Sequence, residues 1–264
     1  MNRKIRTVNA SEADETLVNF NKNRINVKIN NTKISDANIN NSQYYDDESP
    51  RDLPLTIDNF FATAAKPLTC ISQSSVYFEG DAAQSVYLIE SGLVKLLTHL
   101  PNGRARIVRI LGKGSIFGLE GLLRESAYKH SAMAVGNVVT YRIAVGRLRG
   151  FMQNSAELTG KIIEHWHNHL FCADTWITQF SAGAIKSRVA RLVNFLGLLE
   201  YGQDSLCVRL LTCEEMAEVL GVTPESVSRV LAQFKRDHIL SQIQDRPFEV
   251  FTRDKSRLQA VAGF

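Results

Sequence analysis

The chain has 264 residues, 44% hydrophobic and 22% charged, with 31 Lys plus Arg against 27 Asp plus Glu and a formal net charge of +4. Those proportions fit an ordinary globular chain of one large or two smaller domains and exclude a histone-like polycation or an acidic solvating chain. No apolar run is long enough to span a bilayer. The charged stretch Met1 to Glu15 lacks the apolar core of a secretory signal, so the expected setting is cytoplasmic, with no membrane partner. Cys70, Cys172, Cys207 and Cys213 are scattered and form no CxxC, which argues against a disulfide framework or a four-cysteine metal or iron–sulfur site.

Residues 1–53 balance eight basic against eight acidic side chains and contain 11 asparagines, three aromatics (Phe20, Tyr44, Tyr45) and none of the 16 glycines. With no sustained period of 2 or 3.6, this stretch reads as a largely disordered or weakly ordered extension; an arm docked on the body or on a partner is the alternative. Residues 54–153 read as a β-roll. Short β-rich runs (Ser75–Phe78, Val86–Ile89, Leu93–Leu97, Arg106–Leu111, Val138–Ile143) alternate with glycine turns at Gly80, Gly92, Gly103, Gly112 and Gly114. Turns at such spacing predict an antiparallel sandwich or barrel of jelly-roll type.

Residues 154–182 follow as a dimerisation helix and hinge. The helix runs from about Ser155 to Phe180, roughly 40 Å at ~1.5 Å per residue. Ile163, Trp166, Leu170, Ala173, Ile177 and Phe180 step by 3, 4, 3, 4, 3, which is a coiled-coil seam, so a second copy of the chain is the expected partner. The hinge is expected near Gln179–Ala184, at Gly183.

Residues 183–264 balance differently again, with a helix over Ala184–Leu199, a strand over Leu206–Leu210 and then two short helices around a glycine. Thr212 is placed to cap the first, with Glu215 completing a capping box. Met216, Ala217 and Leu220 form its buried side, and Gly221 ends it. Thr223 caps the second helix, and Pro224 occupies its first turn. Val227, Val230, Leu231 and Phe234 bury one side, leaving Glu225, Ser226, Ser228 and Arg229 outward near the N-terminus. This pattern predicts a helix-turn-helix whose second helix enters the DNA major groove. Ile239–Ile243 and Phe248–Phe251 bracket Asp245-Arg246-Pro247 as a wing hairpin. The fold class is therefore α+β: an antiparallel β-roll joined by a long helix to a winged helix-turn-helix.

The order of these parts, with Phe78-Glu79-Gly80-Asp81, Val86 to Lys95 and Gly112 to Gly118 in the roll, resembles the CRP/FNR family of bacterial transcription regulators over about residues 55–264. The resemblance implies a cyclic-nucleotide-binding-like roll, a homodimer on double-stranded DNA, and contact with RNA polymerase through roll loops such as Asn102-Gly103-Arg104. Glu225-x-x-Ser228-Arg229 is similar to the FNR branch, which implies a palindrome of TTGAT-like half-sites. Arg229 would bond guanine, Glu225 would accept from cytosine, and Ser228 would touch thymine or phosphate. Thr223, Ser226, Lys186, Lys235 and Arg236 are candidates for phosphate contacts.

The resemblance also locates an effector pocket around Gly118, Leu119, Glu120, His130 and Ser131. Leu119 stands where cyclic-AMP-binding relatives carry the ribose-binding Glu, and His130 where they carry the phosphate Arg, which argues against cyclic AMP. The N-terminal cysteine cluster of the FNR iron–sulfur sensor is absent. No cofactor is assigned. His165, His169 and Cys172 share one helix face at i, i+4, i+7, and a metal or haem there is the alternative reading, the bland one being a packing feature. A cupin-like enzyme would need a His/Glu cluster that His99 and His130 do not supply, and a cyclic-nucleotide regulatory subunit would leave the helix-turn-helix without a purpose; the chain is not expected to be an enzyme.

Overall fold

A computed structural model of the chain describes residues 56–123, 127–243 and 250–263. The reading of residues 1–53 as an extension lies outside the described residues, as does the Asp245-Arg246-Pro247 turn of the expected wing hairpin. Described elements begin with α1 (Ile57–Ala64), opened by the Thr56 hydroxyl accepting from Asn59 N at 3.2 Å. Six antiparallel strands then build the roll: β1 (Lys66–Cys70), β2 (Ser75–Tyr77), β3 (Ser85–His99), β4 (Ala105–Leu111), β5 (Ile116–Phe117) and β6 (Ser131–Ala144). Their backbone order is β1-β6-β3-β4, with β2 paired to β6 and β5 to β3.

Val86–Ile89 and Leu93–Leu97 are not two strands around a turn. They are halves of the 15-residue β3, which stays paired to the 14-residue β6 through register shifts on either side of Ser91. Gly92, at φ +86°, takes the left-handed conformation, and a Cβ there would press on the Asn137–Val138 backbone of β6. The glycine bends the sheet without ending the strand, so the roll curls while its hydrogen bonds continue.

Period-2 alternation along β3 divides its neighbours into three cores. Val86 and Leu88 join Phe60, Phe61, Leu148 and Leu158 on the outside. Tyr87, Ile89, Val94 and Leu96 fill the roll interior. Leu93 and Leu97 face the C-terminal region, in one cluster with Ile107, Ile110, Val208, Met216, Leu220 and Phe234. The roll and the C-terminal helices therefore share an apolar interface, where each fully buried Leu or Ile contributes about 1.5–3 kcal/mol.

After the roll come α2 (Val145–Asn154) and α3 (Ala156–Phe180), the latter started by Ser155, whose hydroxyl accepts from Leu158 N at 3.1 Å. The C-terminal region holds α4 (Ile185–Tyr201), β7 (Cys207–Arg209), α5 (Cys213–Leu220), α6 (Pro224–Arg236), β8 (Leu240–Gln242), β9 (Val250–Arg253) and α7 (Lys255–Ala262). β7, β9 and β8 form a three-stranded antiparallel sheet beside the helices. Helices α1, α2 and α7 were not anticipated from sequence; each is short, and its period is easily lost in a strand-rich or polar context.

A buried ion pair ties the roll to α5. Lys95, on the β3 face between Leu93 and Leu97, places Nζ 2.7 Å from Glu215 Oε1, and the two side chains are 7% and 8% exposed. Gln73 Nε2 donates to the same oxygen at 3.2 Å, and Lys95 also reaches Gln73 Oε1 at 3.4 Å. The other carboxylate oxygen accepts from Thr212 N at 3.0 Å and so closes the α5 capping box. Burial works to raise the Glu215 pKa, but the Lys95 hydrogen bond and charge, the Thr212 amide and Gln73 outweigh it, leaving the carboxyl below its ordinary value.

Lys95→Met is expected to destabilise the fold by about 3–5 kcal/mol, because it leaves a carboxylate buried without its counter-charge. Lys95→Met combined with Glu215→Gln should recover much of that loss, which chemical denaturation of both variants checks. Because the folded pKa is depressed, the pair's contribution is complete above about pH 4.5 and is lost as pH falls through the folded value. Acid unfolding curves of wild type and Glu215→Gln should diverge in that window.

Candidate nucleic-acid interface and roll interior

Two helices and one glycine set the reading face. Thr212 Oγ1 accepts from Glu215 N at 3.1 Å, completing the reciprocal capping box predicted for α5. Gly221 ends α5 in the left-handed region, at φ 65° and ψ 43°. Thr223, extended at φ −90° and ψ 148°, opens α6 and accepts from Ser226 N at 3.4 Å, with Pro224 in the first turn. Val227, Val230, Leu231 and Phe234 are buried, which fixes the rotation of α6. Glu225, Ser228 and Arg229 are exposed together on the opposite side near its N-terminus. The Glu225 carboxyl is held below its ordinary pKa by hydrogen bonds from its own amide and the Thr223 hydroxyl. It is an anion and an acceptor at neutral pH.

The phosphate candidates fall in different places. Thr223 is exposed and Ser226 half-buried, their hydroxyls 3.1 Å apart at the α6 N-terminus. Lys235 is exposed with Nζ 4.7 Å from the centre of the Phe251 ring, so a cation–π contact holds it toward β9. Arg236 is exposed in the last turn of α6, and Lys186 is half-buried in the first turn of α4.

On α3, Ile163, Leu170 and Ile177 are exposed at 60%, 61% and 63%, one heptad apart, while Trp166 and Ala173 are half-buried. Phe180, the sixth expected seam residue, is a correction. It is 2% exposed, with its ring edge-on to Trp176 at 4.9 Å and near Phe195 at 5.5 Å. Helix α4 folds back at the end of α3, and its Phe195 takes that position into the chain's own core.

The opposite stripe of α3 faces the roll. His169 Nδ1 lies 3.1 Å from Arg109 Nη1 and accepts its hydrogen bond. Burial, reinforced by the Arg109 charge and by His165, lowers the His169 pKa to about 4, so the ring is neutral. Burial also lowers His165 and raises the Cys172 thiol. Among the described residues, no three His, Cys, Asp or Glu side chains converge closely enough to hold a metal ion. His165, His169 and Cys172 share a face as expected, but a guanidinium stands against that face, and a fixed cation repels a metal ion.

The effector-pocket candidates separate. Leu119, 5% exposed, turns into the outer core with Phe60, Phe61 and Leu148. Gly118, at φ +76°, is packed against the Ser85 carbonyl and the Tyr128 and Tyr87 rings. Ser131 is buried, and its hydroxyl accepts from Glu79 N at 2.9 Å. Glu120 and His130 remain near one another: burial lowers the His130 pKa, opposed by the Glu120 charge. Tyr77 and Tyr128 stack at 3.6 Å, with Tyr87 and Phe117 against them, so aromatic rings occupy much of the roll interior. A cyclic nucleotide fits these residues poorly, since the ribose-acceptor position is turned outward and the phosphate position carries a largely neutral imidazole.

Sequence reasoning missed Arg109, Lys95 and Gln73. The signal for the first two was a charged residue inside an apolar strand run, Leu93–Leu97 and Arg106–Leu111, where both faces of the strand are covered.

Two family models match the chain: a cyclic nucleotide-binding domain over residues 72–155 and a Crp-like helix-turn-helix domain over residues 188–261, together more than half of it. The transcriptional regulator LdrP of Thermus thermophilus is 25% identical over 194 residues, covering 72% of this chain and 94% of its own. The cyclic AMP receptor protein of the same organism is 29% identical over 195 residues, covering 71% and 83%. Among solved structures, FixK2 from Bradyrhizobium japonicum superposes with a TM-score of 0.65 at 20% identity, over 75% of this chain and 96% of that one. A CRP-family regulator from Thermus thermophilus gives 0.64 at 23% identity, over 75% and 97%. With both family models matched in roll-then-helix-turn-helix order, and with curated relatives aligned across that same span, the chain belongs to the CRP/FNR family of transcription regulators.

Proposed function

We propose that this regulator works as a homodimer that reads a palindrome of TTGAT-like half-sites in the cytoplasm and engages RNA polymerase. The observation that carries the reading is the joint exposure of Glu225, Ser228 and Arg229 on a helix whose other side is locked in the core. Arg229 supplies a bidentate donor for guanine O6 and N7, Glu225 an acceptor for cytosine N4, and Ser228 a contact to thymine or phosphate. Thr223, Ser226, Lys186, Lys235 and Arg236 supply backbone contacts, which position the protein without reading sequence. The signal acts at the roll or at α3. Neither Leu119 nor His130 supports cyclic AMP as that signal, while Glu120, His130 and Arg109 of the roll, with His169 of α3 beside Arg109, are the polar residues that an effector would meet.

The exposed heptad Ile163, Leu170, Ile177, flanked by Trp166 and Ala173, supports the dimer. Three large apolar side chains on one stripe of a 25-residue helix, each over half exposed, call for a partner surface. In the family's mechanism, rearrangement around this seam changes the spacing of the two recognition helices, and a spacing near one DNA turn permits binding.

Fluorescence anisotropy with a duplex carrying two TTGAT half-sites, against a scrambled duplex, tests the DNA reading. Arg229→Ala should lose roughly 1–3 kcal/mol of discrimination at one guanine of each half-site. Equal sequence preference in that variant overturns the assignment. Leu170→Asp with Ile177→Asp should give a monomer by sedimentation and lose binding to the two-site duplex, with the circular dichroism of the fold retained.

A further inference from the structure

Three guanidiniums lie in one neighbourhood, with Arg188 between the other two, and two of them, Arg188 and Arg106, reach the turn between α5 and α6. Arg188, from the first turn of α4, donates through Nε to Phe180 O at 2.7 Å and through Nη2 to Leu220 O, the carbonyl ends of α3 and α5. Arg191 donates through Nε to Ala262 O at 2.9 Å and through Nη1 to Gln179 O and Ala182 O, each at 3.1 Å. Both are spent on helix-end carbonyls, where positive charge is favourable. The third, Arg106, comes from β4 of the roll. A Cβ built on Gly221 would lie 3.0 Å from Arg106 Cζ and 3.2 Å from Nη2, so the guanidinium rests directly on the glycine of the turn.

Among the described residues, Arg106 is committed to no side-chain partner. The structure gives its guanidinium no hydrogen bond and no ion pair among the described residues, although it is half-buried. Burial lowers its pKa with no carboxylate to oppose the shift, and its charge in turn lowers that of Arg188. A half-buried cation beside a second cation is unfavourable unless an anion completes the site. Its position says which anion. Gly221 lies two residues before Thr223, a reach of at most about 7 Å, and Thr223 is the N-cap of the helix that carries Glu225, Ser228 and Arg229. A recognition helix enters the major groove by that end, so the sugar-phosphate backbone at the groove edge passes beside the turn.

We propose that Arg106, a residue of the β-roll, clamps a DNA backbone phosphate next to the helix-turn-helix. The reading head would then be composite: base edges are met by α6, and one backbone contact comes from the sensor domain. Gly221 serves this as well as ending α5, because any side chain there would displace the guanidinium. The contact also makes DNA affinity sensitive to how the roll sits on α5, since Arg106 reaches the turn only when the roll is docked.

The proposal rests on the DNA-binding reading above, and its test separates the two. Full-length wild type, Arg106→Gln and Arg106→Lys are titrated against the two-half-site duplex over a series of KCl concentrations. For a dimer, losing one phosphate contact per protomer should reduce the slope of log affinity against log salt by about 1.8. Arg106→Gln is expected to show that reduction while keeping wild-type discrimination at the Arg229 guanine and wild-type thermal stability. Arg106→Lys should restore most of the slope. An unchanged slope in Arg106→Gln, with or without a fall in melting temperature, overturns the clamp and makes Arg106 a structural residue. A wild type with no sequence preference overturns the DNA reading itself.

Discussion

Glu215 does two jobs with one carboxylate, and the architecture hangs on the combination. One oxygen closes the capping box of α5, and the other accepts Lys95 and Gln73 from the roll. The start of the helix-turn-helix is thereby fixed to the middle of β3. Burial of both charges carries a large desolvation penalty, so the pair adds little net stability over an apolar replacement. What it adds is position. The surrounding apolar contacts, Leu93 and Leu97 against Met216 and Leu220, would tolerate sliding, whereas a 2.7 Å ion pair in a dry interface would not. The direction of α6 relative to the roll follows from this one contact and from the packing around it.

Helix α3 carries the same logic on a larger scale. One stripe, His165, His169 and Cys172, faces the roll and meets Arg109 there; the other, Ile163, Leu170 and Ile177, faces outward. Both stripes belong to one continuous 25-residue helix. The residue that meets Arg109 and the residues of the outward stripe are therefore carried by the same rod. The lowered pKa of His169 keeps that ring neutral and accepting, which is what lets it sit against a guanidinium at all.

Total charge says little about such a molecule. The net +4 is spread over a chain whose α5 carries Glu214, Glu215 and Glu218, and whose α6 has Glu225 in its first turn. One of those acids is internalised by Lys95 and another, Glu225, is exposed near the N-terminus of α6. Basic side chains matter by place: Arg188 and Arg191 hold helix ends together, Arg106 rests on Gly221 at the turn before α6, and Arg229 is exposed near the N-terminus of α6.

Much of this was legible in the linear chain. The helix-turn-helix could be read to within a residue, because capping residues, Pro224 and Gly221 act locally, and local backbone preferences need no tertiary partner. The heptad on α3 was legible for the same reason, through Ile177; Phe180 escaped because α4 folds back and buries it. The roll strands were legible as runs, but Gly92 read as a turn, since a glycine at positive φ looks the same in a turn and in a bulge. Lys95, Gln73, Arg106 and Arg109 were visible only as charged or polar residues in β-rich stretches. Their roles come from partners between 60 and 142 positions away, Glu215, Gly221 and His169. The chain by itself determined the roll, the long helix and the helix-turn-helix; the tertiary structure decided which charges are buried against which, because Coulomb and desolvation energies depend on distance in space and not on spacing along the chain.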